Sequence, residues 1–127
     1  MKERDMTPSE LEVMRAVWEI TEEGEIATTK TVRKRVNEGR EEKLYGQIIY
    51  VHIGHLAEKG YVRIERTKED KRVYIPLVKK EDYVAKQAKN WAKFWKQSTA
   101  SYAMMALGKN IKKEEKEELR RYLDEMD

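Results

Sequence analysis

The sequence predicts an α+β fold, mostly helical, and three observations carry that expectation. A short helix beginning near Tyr45-Gly46 ends at Glu58-Lys59-Gly60 and runs straight into an alternating segment, Tyr61-Val62-Arg63-Ile64-Glu65-Arg66. A charged tip, Lys68-Glu69-Asp70-Lys71-Arg72, separates that segment from a second extended run, Val73-Tyr74-Ile75, closed by Pro76. Beyond Pro76 the composition changes to helical, aromatic-rich stretches with no further strand signal. Helix followed by tipped hairpin is the order of a winged helix-turn-helix. The expected organisation is a winged-helix domain over residues 1–77 and a helical dimerisation arm over 78–127.

The elements follow in order. Thr7-Pro8-Ser9-Glu10 is a helix start: Thr7 caps, Pro8 suits the first helical position and Glu10 completes a capping box. Leu11, Met14, Val17 and Trp18 then recur at helical spacing, and Glu22-Glu23-Gly24 stops the helix. Glu25-Ile26-Ala27 reads as an extended link, a candidate minor strand beside the hairpin. Thr28-Thr29 caps a second helix whose Val32 and Val36 form an apolar stripe on an otherwise basic surface. After Asn37-Glu38-Gly39 and a solvated turn comes the third helix. In the arm, helices are expected over Lys79–Gln97, Ser98–Leu107 and Lys113–Met126, with Gly108 as a breaker.

Composition narrows the function classes. Within 127 residues, 40% are charged and 39% hydrophobic, so the core is thin and apolar surface remains for an oligomer contact. Net charge is only +3, so any basic surface must arise from local clustering. The absence of cysteine removes disulfides, thiolate metal sites and cysteine nucleophiles. No apolar run approaches the ~20 residues of a membrane span, and Met1-Lys2-Glu3-Arg4-Asp5 has no signal-peptide character, so the expected location is cytoplasmic.

At about 100° per residue, Ile49, Ile53 and Leu56 of the third helix share one face, with His52 at its edge. Gln47, Val51, Gly54 and Glu58 take the opposite face, flanked by Tyr50, Ile48 and His55. Gln pairs with adenine edges, Val contacts a thymine methyl, and His or Tyr donates to bases or phosphates. Gly54 costs about 1 kcal/mol in a helix interior, which suggests a close approach to another backbone. Lys68, Lys71 and Arg72 at the hairpin tip suit phosphate contact or minor-groove insertion. Lys30, Arg33 and Arg35 suit phosphates beside the groove, and the amides near Thr28-Thr29 suit one at the helix N-terminus. The DNA-binding candidates are therefore Thr29, Lys30, Tyr45, Gln47, Ile48, Tyr50, Val51, His55, Lys68, Lys71 and Arg72, and the expected partner is a double-stranded DNA operator. For any one of these cations taken alone, a solvated surface charge is the simpler reading.

Catalysis is not expected. The chain has no glycine-rich phosphate loop and no nucleophile elbow, and its carboxylates alternate with lysines as on solvated helices. His52 and His55 at i, i+3 would bind a metal only with a third ligand such as Glu58; packing or DNA contact is the expected role, with no metal and no cofactor.

Trp91, Phe94, Trp95, Tyr102, Met104 and Met105 are too many large groups for a solvated arm. They suit either a ligand cavity or a dimer core, and helical spacing favours the dimer. The candidate interface is Val84, Ala88, Trp91, Trp95, Tyr102, Met105, Leu119, Tyr122 and Leu123. A homodimer would set two wings at a fixed spacing over a palindrome.

Several segments together resemble one family. Glu12-Val13-Met14-Arg15-Ala16-Val17-Trp18-Glu19, Leu56-Ala57-Glu58-Lys59-Gly60-Tyr61-Val62, Pro76-Leu77-Val78-Lys79-Lys80-Glu81-Asp82-Tyr83 and the Glu114–Leu123 stretch are similar in order and spacing to the penicillinase repressor (BlaI/MecI/CopY) family. The resemblance implies a homodimeric transcriptional repressor with an N-terminal winged helix and a three-helix dimerisation arm. In the antibiotic-responsive branch of that family a sensor protease cuts the arm to relieve repression.

The chain departs from the family at three places. Ile48-Ile49-Tyr50-Val51 stands where the family usually carries Thr-Val-Lys-Thr, which implies a different operator. Met104-Met105 aligns with the Asn-Phe cleavage pair, which weakens induction by that proteolytic route while leaving an upstream sensor protease among the candidate partners; without a cysteine-rich tail, copper induction is not supported. The longer wing, with Asp70-Lys71-Arg72, resembles that of the MarR family. A MarR- or PadR-like regulator released by a small-molecule inducer in the arm is thus one alternative, and a winged-helix protein–protein interaction module is another. The almost empty segment before Thr7 argues against MarR, which carries a dimerisation helix there.

Overall fold

A computed structural model describes residues 5–108 and 112–125, with side chains of the last helix as far as Arg121. Helices α1 (Pro8–Glu22), α2 (Thr29–Glu38) and α3 (Gly46–Glu58) lead into strands β1 (Val62–Arg66) and β2 (Arg72–Pro76). Helices α4 (Lys80–Phe94), α5 (Thr99–Leu107) and α6 (Lys113–Glu125) follow. This is a winged helix-turn-helix followed by a helical segment. The chain divides into two compact units, Met1–Tyr83 and Val84–Asp127.

Local chemistry fixes the helix ends of the first unit. The Thr7 amide donates to Glu10 Oε1 at 3.0 Å while the Glu10 amide donates to Thr7 Oγ1 at 3.2 Å. That reciprocal cap is worth about 1 kcal/mol. Thr28 and Thr31 form the same arrangement at the start of α2. At the other ends, α1 and α3 stop in six-residue Schellman turns: the Glu25 amide reaches Ile20 O and the Tyr61 amide reaches Leu56 O. Gly24 (φ 80°) and Gly60 (φ 88°) occupy the left-handed position that each turn requires.

The core lies where the three helices meet the hairpin. Val13, Met14, Val17 and Ile20 of α1, Val32 and Val36 of α2, and Ile49, Ile53 and Leu56 of α3 are buried together with Tyr61, Val62 and Tyr74. Each such side chain contributes roughly 1.5–3 kcal/mol relative to exposure. Trp18 donates from Nε1 to Val78 O at 2.9 Å and packs on Tyr83, whose ring also meets Tyr61 edge-on at 6.0 Å.

The two strands pair antiparallel with Ile64 opposite Tyr74 and Arg66 opposite Arg72. Residues 67–71 turn the corner, closed by the Thr67 amide on Lys71 O at 2.8 Å, with Asp70 in the left-handed region at φ 61°. Asp tolerates that conformation better than most residues, which lets a charged sequence make the tip. The minor strand expected at Glu25-Ile26-Ala27 reduces to one hydrogen bond, from the Tyr74 amide to Ala27 O at 2.9 Å. The reason is local: Glu25 is bound back to Ile20 and Thr28 already caps α2, so only Ala27 remains to pair.

In the second unit, α4 stops three residues before the expected Gln97. Its end is another Schellman turn, with the Gln97 amide on Ala92 O at 2.8 Å and Lys96 at φ 58° in the position glycine usually holds. Ser98 then caps α5 through the Ser101 amide at 3.0 Å, so the chain restarts a helix here. Val84, Trp91, Phe94, Trp95, Met104 and Met105 are each 47–67% exposed. Phe94 meets Trp91 and Trp95 edge-on at 5.7 and 4.9 Å. Ala88 and Tyr102 are half-buried, Leu119 is exposed, and Ala92, which was not among the expected contact residues, is the buried member of α4. The side chains of Tyr122 and Leu123, and Met126 as a whole, lie outside the described residues.

Candidate nucleic-acid interface

Helix α3 is two-sided, as its periodicity requires. Ile49, Ile53 and Leu56 are fully buried, whereas Gln47, Ile48, Tyr50 and Val51 are exposed and Tyr45, just before the helix, is 71% exposed. Within this unit the core contacts of α1 and α2 fix the orientation of α3, so the outer face is presented by rigid packing. The close backbone approach expected at Gly54 is not found: a Cβ there would meet nothing within 4 Å.

The wing meets this face at Tyr50. The Arg72 guanidinium lies over the Tyr50 ring, 4.5 Å from its centroid. Arg66 is occupied by Asp70 at 2.8 Å and Arg63 by Glu65 at 2.6 Å. Those pairs cancel charge along the hairpin, while Lys68 and Lys71 form no ion pair among the described residues. The net positive end of the wing is therefore its tip and the start of β2. An open groove of about 430 Å³ runs between this wing and the N-terminus of α2, lined by Thr28, Thr29, Lys30, Arg66, Lys71 and Arg72, with Asp70 the one acid.

Helix α2 supplies a second edge. Lys30 is exposed and lies on the wing groove as well as on a groove of about 540 Å³ shared with Arg33, Lys34, Asn37 and Gly46. Arg33 donates from Nε to Leu44 O at 3.2 Å, supporting the turn before α3. Arg35 does not join the cationic edge. It grips Glu23 through both guanidinium nitrogens, at 2.9 and 2.6 Å, and this pairing lowers the Glu23 pKa and raises that of Arg35. Two parallel N–H bonds to a carboxylate hold the fork in place, and sequence spacing gave no sign of a partner twelve residues away. Thr29 is held by a hydrogen bond between its hydroxyl and that of buried Tyr74, which fastens the start of α2 to the wing.

The two histidines differ: His55 stays half exposed while approaching Glu10, and His52 is half-buried. His55 Nδ1 stands 3.6 Å from Glu10 Oε2, and Lys59 Nζ donates to Glu10 Oε1 at 2.5 Å. Burial pushes the Glu10 carboxyl up, but the Lys59 and Thr7 hydrogen bonds and the Lys59 and His55 charges outweigh it and leave its pKa lowered. His52 keeps Nδ1 buried and without a hydrogen-bond partner. Its ring meets that of His55 edge-on at 6.4 Å, and no third ligand joins them among the described residues.

The structure thus brings Lys30, Tyr45, Gln47, Ile48, Tyr50, Val51, Lys68, Lys71 and Arg72 to the exposed surfaces of α2, α3 and the wing. Thr29 sits at the joint behind them, and His55 faces the α1 cap. Three features escaped sequence reasoning: the Tyr50–Arg72 stack, the Glu10–Lys59 pair and the Arg35–Glu23 pair. All join residues at least twelve positions apart, where periodicity carries no signal; only the capping box pointed to Glu10 at all.

No curated protein matches the chain. Among solved structures, a winged-helix DNA-binding protein from STIV is 13% identical, with a TM-score of 0.49 over 72% of this chain and 95% of that one. The penicillinase repressor family model matches residues 6–125, nearly the full length, and that family is one of DNA-binding transcriptional regulators rather than enzymes. With the winged-helix architecture and a match of this extent, the chain belongs to the penicillinase repressor family.

Proposed function

We propose that the protein is a homodimeric transcriptional repressor, acting in the cytoplasm, that occupies a palindromic DNA operator and so blocks a promoter. The observation that carries this reading is the joining of α3 to the wing by the Arg72–Tyr50 contact, which turns two elements into one surface. Gln47, Ile48, Tyr50 and Val51, with Tyr45, enter the major groove, while Lys30, Lys68, Lys71 and Arg72 neutralise phosphates on either side. Thr29 positions α2, and His55 supports α3 from behind.

The exposed aromatic and methionine side chains of the second unit support the dimer. Leaving Trp91, Phe94, Trp95, Met104 and Met105 in water is unfavourable, and a second copy of the chain would cover them. Val84, Ala88, Tyr102, Leu119, Tyr122 and Leu123 complete the proposed contact. No described helix is long and apolar enough to cross a membrane.

Sedimentation of the full chain alone and with a selected palindromic duplex tests the proposal. Two chains per duplex, and a shift toward monomer in Trp91→Ala/Trp95→Ala, are expected; one chain per duplex with an unchanged monomer would contradict it.

A further inference from the structure

The composition of the outer face of α3 goes a step beyond DNA binding. Between Gly46 and Glu58 the helix contains no lysine and no arginine. The commonest specific reading of guanine, a bidentate Arg or Lys on O6 and N7, has no residue on this helix to make it. Of its histidines, which lie in the C-terminal half, His55 is half exposed beside Glu10 and His52 keeps Nδ1 buried. What remains exposed toward the N-terminal half is Gln47 and an apolar set, Ile48 (39% exposed), Tyr50 (42%) and Val51 (51%).

An apolar patch of this kind needs an occupant, and its rim says which. Lys30 shares a groove with Gly46 at the start of α3, Arg72 lies over Tyr50, Lys71 lines the groove between the wing and α2, and Lys68 is exposed in the same wing turn. The rim matches a polyanion and the centre matches methyl groups. The thymine C5-methyl in the major groove of duplex DNA is apolar and flanked by phosphates, so it satisfies both demands. We propose that Ile48 and Val51 read thymine methyl groups, with Gln47 on an adenine edge, so that the core of each half-site is A·T rather than G·C. This rests on the DNA-binding reading above and names its target chemistry.

Selection of bound duplexes from a random-core pool by the full chain, followed by replacement of each thymine with deoxyuridine, tests the proposal. Deoxyuridine keeps the pairing edge and removes only the methyl. One or more replacements should weaken binding about fourfold each, the cost of one buried methyl-sized group. The same replacement should cost little further in Val51→Ala or Ile48→Ala, both at exposed positions that leave the core intact. A selected G·C core, or deoxyuridine tolerated within twofold at every position, overturns thymine reading while leaving DNA binding in place. Failure to retain any duplex at low salt overturns both readings.

Discussion

The guanidinium of Arg72 in β2 rests on the ring of Tyr50 in α3, 4.5 Å from its centroid. This contact adds an exposed link between the wing and α3 to the packing of Val62 and Tyr74 with Ile49, Ile53 and Leu56 in the core. An exposed cation–ring contact is worth about 0.5–1 kcal/mol, so Tyr50→Ala should weaken binding roughly two- to fivefold across unrelated sequences. Tyr50→Phe, which keeps the ring, should bind like the parent in fluorescence anisotropy. Equal losses in the two variants would show that the hydroxyl, not the stack, matters.

The cations divide into those held in ion pairs and those without one among the described residues. Lys71 forms no ion pair among the described residues, whereas Arg35 is held by Glu23. Lys71→Ala should reduce the slope of log K against log salt by about 1, as loss of one phosphate contact requires. Arg35→Ala should leave that slope unchanged. A slope altered by Arg35→Ala would place its charge at the DNA.

Glu10 links the α1 cap to the end of α3 through Lys59. Its carboxyl is only 5% exposed and its folded-state pKa lies below the ordinary value of 4.5. A carboxyl whose pKa is depressed on folding stabilises fully above its unfolded value, and that stabilisation is lost as pH falls through the folded one. The protein should therefore lose stability below about pH 4.5, and Glu10→Gln should flatten that acid limb in urea denaturation. Glu10→Ala should cost roughly 2 kcal/mol at neutral pH, since it removes the side-chain half of the capping box and leaves Lys59 without its carboxylate. An acid limb unchanged in Glu10→Gln would exclude this group as its source.

Gly54 offers a stabilising change. Nothing within 4 Å would meet a Cβ there, and the residue is interior to α3. Gly54→Ala should raise stability by about 1 kcal/mol in chemical denaturation. If stability rises while affinity falls, the glycine is retained for close approach of the DNA backbone rather than for the fold.

Much of this architecture was legible because its signals are local. Thr7-Pro8-Ser9-Glu10, Thr28 and the two glycines after α1 and α3 mark boundaries through hydrogen bonds that span six residues or fewer. The Ile49–Ile53–Leu56 face followed from helical period alone. The failures were non-local or marginal. Nothing near Arg35 announces Glu23, and nothing near Tyr50 announces Arg72. Lys96 ends α4 in a left-handed conformation that its residue type disfavours, which is why that helix was expected to run on to Gln97.

The most direct measurement is a salt-titrated binding isotherm of the full chain on genomic duplex fragments. Lys30, Lys68, Lys71 and Arg72 from two protomers should give tight binding at low salt and a slope of log K against log salt of about −4 to −7. No binding at low salt, or a slope near zero, would contradict a DNA-binding face built from α3 and the wing.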